Sequence, residues 1–152
     1  MKKIVYSVYI LLISLNGFSQ NCEEREGKLL EAIGNFSATA IYNTYGVIGS
    51  IADGFGGDVY KAEMVNSLLS AQISLCDNLI KVMDSLKTDK TLTAASDQNY
   101  ATDVVAILKG LKNQAKFFLE YVKDKSQQKL DDYSNQRDKN WKDICKLMGI
   151  EE

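Results

Sequence analysis

Arg137 stands with Tyr133 four residues before it and Trp141 four after it, a spacing that puts all three on one face of a helix. A guanidinium so placed could hold a carboxylate or phosphate through two parallel hydrogen bonds, with the indole stacking beside it. Two other polar residues fall in the middle of apolar arcs: Ser37 on the first predicted helix and Gln72 on the second. Counted from one bundle end at the helical rise, Ser37, Gln72 and Arg137 lie at roughly 22, 22 and 17 Å, so they are expected to share one polar layer. A buried guanidinium needs a partner, because its uncompensated desolvation is expensive. Glu26, about 11 Å lower by the same count, is the nearest inward carboxylate. Such a layer fixes helix register. The alternatives are Arg137 reaching out to water along its stem, and a ligand site at Arg137 and Trp141.

The rest of the reactive inventory is thin. There is no histidine, which removes the commonest general base, metal ligand and haem axial ligand. No P-loop, dinucleotide fingerprint, nucleophile elbow, calcium loop or haem-attachment motif occurs. Without a Glu-x-x-His pair, the di-iron chemistry of helical bundles lacks its nitrogen ligands. No cofactor, metal or catalytic residue is expected. Of the three cysteines, Cys76 lies within an apolar face, where thiols are usually inert. Cys22 opens the first helix and Cys145 lies about one turn from the end of the last. Antiparallel packing would bring both to one end, so a Cys22–Cys145 disulfide is expected. Cys76, roughly 15 Å further along, is out of reach.

That expectation assumes an oxidising compartment, and the N-terminus suggests one. Met1-Lys2-Lys3 is a positive start, Ile4 to Leu15 is apolar, and Gly17-Phe18-Ser19 sets small residues at a cleavage site. Residues 1–19 read as a secretory signal peptide of bacterial style, leaving 20–152 as one exported domain in the periplasm or outside the cell. The apolar run is shorter than the roughly 20 residues a membrane span needs, so no stable span is expected in the mature chain. An uncleaved anchor and lipidation at Cys22 are the alternatives.

The elements that must position these residues are helices. The chain has no proline, which favours long uninterrupted helices. The first is expected to open at a capping box on Asn21 and Glu24 and to run to about residue 52. It is weakened by Gly34, Gly46 and Gly49, and a break near Gly46 is one outcome. Gly46 and Gly49 are also expected to let helices approach closely. Asp53 to Gly57 is a turn, with Asp58 capping the second helix. That helix carries Val65, Leu68, Leu69, Ile73, Leu75, Cys76, Leu79, Ile80, Val82, Met83 and Leu86 on one half of its wheel. Ser96 or Asp97 is expected to cap the third. The fourth ends at Gly149 in the left-handed conformation. Short connections between four helices predict an antiparallel up-down-up-down bundle with coiled-coil-like packing.

Charge narrows the function classes. Removing Lys2 and Lys3 from the 18 basic residues leaves 16 against 20 acidic ones, and the signs alternate along the helices without a basic stripe. Nucleic acid is therefore not an expected partner. What remains is a non-enzymatic exported bundle that binds a protein partner or assembles with itself. A carrier holding a small anionic or amphipathic ligand near Arg137 and Trp141 is the second reading.

Overall fold

The computed structural model describes residues 24–89 and 91–151 with their side chains. The expected leader, its cleavage site, the Asn21 cap and the Cys22 side chain fall outside these residues. Among the described residues there are four helices: α1 (Lys2–Gly56), α2 (Ala62–Thr88), α3 (Ala95–Asp124) and α4 (Gln127–Met148). No strand occurs among the described residues, and the class is an all-helical bundle. None of the helices is long and apolar enough, over the described residues, to cross a membrane. The chain divides into two compact units, Met1–Ser37 and Ala38–Glu152.

In the first unit, Lys28 pairs with Glu24 one turn away at 2.7 Å. In the second, α2 packs on α3 and α3 on α4. The α1 residues of this unit reach α3 through Phe55 and Phe118 (centroids 5.9 Å apart) and α4 through Tyr45 and Trp141. Helix α1 does not break at Gly46. Ile41, Thr44, Ile48, Ile51 and Ala52 are buried at alternating helical spacings on either side of it. Burial of each large aliphatic side chain is worth about 1.5–3 kcal/mol, more than the roughly 1 kcal/mol a glycine costs a helix.

Backbone carbonyls, more than side-chain caps, shape the turns. After α1, Gly57 N–H returns to Asp53 at 2.9 Å, while Val59 and Tyr60 both donate to the Gly54 carbonyl. The Tyr60 ring lies over Gly54, where a side chain would overlap it. Asp58, expected to cap α2, instead takes a left-handed φ of 58° within this turn, and α2 begins after Lys61 with no side-chain cap. Helix α3 starts after Ala94, ahead of the expected Ser96 or Asp97. Lys125 turns the chain left-handed between α3 and α4, and the Asp124 carboxylate accepts both the N–H and the hydroxyl of Ser126 at 2.9 Å. The α4 terminus forms as its sequence predicts: Gly149 has φ 65°, and Ile150 N–H returns to the Cys145 carbonyl at 3.0 Å.

Ile41, Ile48, Leu69, Leu108, Leu111 and Ile144 are the largest fully buried aliphatic residues. Helix α2 departs from expectation in one respect. Its buried residues are Val65, Leu69, Cys76 and Met83, whereas Leu68, Leu75 and Val82 are exposed. Its apolar arc is wider than the contact with α3 can cover.

Candidate functional site

The polar layer in the second unit is built mainly from residues of α3 and α4. Gln136 donates its amide N–H to Asn140 Oδ1, and Asn140 donates to Gln114 Oε1, each at 2.8 Å. Gln114 and Asn140 are fully buried. Space for them comes from Gly110, where a Cβ would overlap the Asn140 side-chain oxygen. Close approach between helices is therefore a property of Gly110, whereas Gly46 faces open space and a Cβ at Gly49 would make only ordinary contact with Arg137 at 3.6 Å. The Gln114 amide nitrogen and the Tyr133 hydroxyl, beside each other, are buried without a well-formed hydrogen bond. Burial pushes the Tyr133 phenol pKa up, with the Arg137 charge opposing.

Arg137 continues this set towards the surface. It is half-buried. Hydrogen bonding with Tyr45 raises its pKa, and the charge of Asp53 acts in the same direction. Glu26, the carboxylate expected to serve Arg137, is exposed. On the outer side, Tyr45 stacks on Trp141 with centroids 5.4 Å apart and planes 30° apart, and Tyr42 tilts against the same indole at 6.4 Å. Tyr42, Tyr45, Gly46 and Trp141 line an open cleft of about 350 Å³. Gly46, lacking a side chain, leaves its floor free.

The remaining expected site residues are Gln72, Ser37 and the cysteines. Gln72 is half-buried on α2 and outside the buried polar set. Ser37 is buried, its hydroxyl donating to the Gly34 carbonyl at 2.9 Å. The expected Cys22–Cys145 disulfide is not formed. Cys145 is a free thiol turned into the core, on the inward side of α4 next to Ile144, and Cys22 falls outside the described residues. Cys76 is also free and buried; burial first, then the Asp77 charge, pushes its pKa up to about 11. Among the described residues, no three His, Cys, Asp or Glu side chains gather where they could hold a metal ion.

A second open cleft, of about 400 Å³, runs between the start of α3 and the end of α4, with Asp103, Asp143 and Lys146 on its walls. It is a solvated surface groove, and the aromatic cleft carries the more distinctive chemistry. Its stacked faces and phenolic hydroxyls are groups for holding a molecule. No protein-family model matches the chain, and no curated protein or solved structure is detectably similar to it.

Proposed function

We propose that this is an exported, non-enzymatic helical protein that works by gripping a macromolecular partner at the Tyr42–Tyr45–Trp141 cleft or by assembling with itself. Residues 1–19 are removed as a leader, residues 20–152 follow an up-down-up-down path, and the protein acts in the periplasm or outside a bacterial cell. The observation that carries the recognition reading is the cleft itself. Trp, Tyr and Arg are the residues in which interface binding energy concentrates, and here Arg137 is hydrogen-bonded with Tyr45 of the cleft wall. A pocket for a carried small molecule encloses most of its ligand's surface. An open cleft lined by four residues instead suits one protruding side chain of a larger partner. The guanidinium behind the aromatic wall favours, as the second reading, a small anionic or amphipathic ligand.

Placing a photo-crosslinking phenylalanine analogue at the exposed position of Tyr42 tests this in the native host. A covalent adduct with another macromolecule is expected, and it is expected to disappear with Gly46→Leu, which fills the cleft floor from a position facing open space. Cross-linking that is absent, or unchanged by Gly46→Leu, would contradict recognition at the cleft.

A further inference from the structure

The face of α2 left bare by α3 has the pattern of a helix seam. Met64, Leu68, Leu75 and Val82 are 51, 38, 42 and 54% exposed, and together with Ala71 and Asn78 they alternate in steps of four and three residues. That is the spacing of a coiled-coil seam. It lies roughly a third of a turn around the helix from the buried residues Val65, Leu69, Cys76 and Met83. Among the described residues of the second unit, α3 is the helix packed on α2, and it leaves these side chains exposed.

The strip is complementary to itself when reversed. Set two copies of α2 antiparallel about a two-fold axis at Leu75, and each residue meets the one equally far on the other side of Leu75. Leu68 then faces Val82, and Met64 faces the half-buried Leu86. Gln72 faces Asn78, an amide against an amide. At the two ends, Lys61 faces Asp89. Each of these pairs joins apolar to apolar, amide to amide or cation to anion. The exposed Ser67 and Ser74 beside the strip are small enough to let a second helix approach. The 27 residues of α2 span about 40 Å, room for a contact of the length that stable two-helix seams use. In a closed two-fold contact the same patch must serve both partners, and this charge pattern rewards the antiparallel orientation while placing like charges together in the parallel one.

From this we infer that the chain forms a two-fold dimer through α2, with Leu75 on the axis and Lys61–Asp89 ion pairs closing both ends. The dimer deepens the self-association half of the proposed function, and it uses a helix that does not line the aromatic cleft.

Sedimentation equilibrium of the full chain at micromolar concentration tests the pairing, with circular dichroism confirming the helical fold of each variant. The wild-type protein is expected at twice its chain mass. Leu75→Asp, which sets two carboxylates against each other on the axis, is expected to weaken association at least tenfold. Lys61→Glu is expected to weaken it through repulsion with Asp89, and the double exchange Lys61→Glu with Asp89→Lys is expected to restore it. That rescue separates lost pairing from lost folding. A chain that stays monomeric, a dimer indifferent to Leu75→Asp, or a double exchange that fails to restore association would each overturn the pairing. Gly46→Leu is expected to leave the dimer intact. Tyr42 cross-linking that is absent from the otherwise unaltered chain, or unchanged by Gly46→Leu, with the dimer intact would fault only the cleft, whereas a dimer lost with Gly46→Leu but kept with Leu75→Asp would overturn this pairing and leave cleft recognition standing.

Discussion

Gly110 on α3 and Asn140 on α4 meet so closely that a methyl group on the glycine would overlap the Asn140 side-chain oxygen. Asn140 cannot give way, because it is buried and holds hydrogen bonds to both Gln136 and Gln114. Gly110→Ala is therefore expected to destabilise by about 1–3 kcal/mol through overpacking, despite the gain of about 1 kcal/mol in helix propensity. Asn140→Ala leaves the Gln114 oxygen buried and unpaired, at about 1–3 kcal/mol. The double variant is expected to cost less than the sum, since removing the amide frees the space the new methyl needs. Urea denaturation of the four proteins checks this; simple additivity would show that the two sites do not share the contact.

Gly49→Ala should act in the opposite direction. The added Cβ would make ordinary contact with Arg137 at 3.6 Å, so only the helix-propensity gain of up to about 1 kcal/mol remains. A higher thermal midpoint is the expected result.

The thiols give a chemical check. With its pKa pushed up to about 11, Cys76 is roughly one part in a thousand thiolate at pH 8. Both Cys76 and Cys145 are buried. Neither is expected to react with a thiol reagent in the native protein, and both should react at once in denaturant. Rapid native labelling of Cys76 would contradict its buried, protonated state.

Lys112 on α3 holds the Asp77 carboxylate of α2, and this hydrogen bond is the chief reason that the Asp77 pKa lies below its ordinary value. For a carboxyl lowered on folding, the stabilisation is complete above the unfolded pKa and is lost as pH falls through the folded one. Lys112→Met should therefore raise the pH at which Asp77 titrates, read by carboxyl chemical shifts. It should also shift the onset of acid unfolding to higher pH. An unmoved titration would show that the pair does not hold in solution.

How much of this was legible in the sequence depends on what a helical wheel can express. The wheel finds the helices and the inward side of each, and it read the α4 terminus at Gly149 correctly. It cannot say which neighbour an inward residue meets. Gln72 and Arg137 both fall mid-arc on the wheel, which puts them in one layer, yet α3 covers only part of the α2 arc, so Gln72 stays half-buried and Leu68, Leu75 and Val82 remain outside. The residues that do carry the layer left a signal. Gln114 sits three residues after Leu111 and four before Phe118, within the α3 core face, and Asn140 completes the four-three-four spacing of Tyr133, Arg137 and Ile144. The aromatic cleft was half legible: Arg137 and Trp141 were found by spacing on one helix, whereas Tyr45 and Gly46 join them only through packing between α1 and α4.

The most direct measurement of the central claim is a native mass spectrum of the protein isolated from its own source. Partner recognition or self-association predicts a chain shortened by residues 1–19 and carried in a complex, either as a dimer or with a second macromolecule. A monomeric chain holding a small molecule, or one that retains its leader and carries nothing, would contradict it.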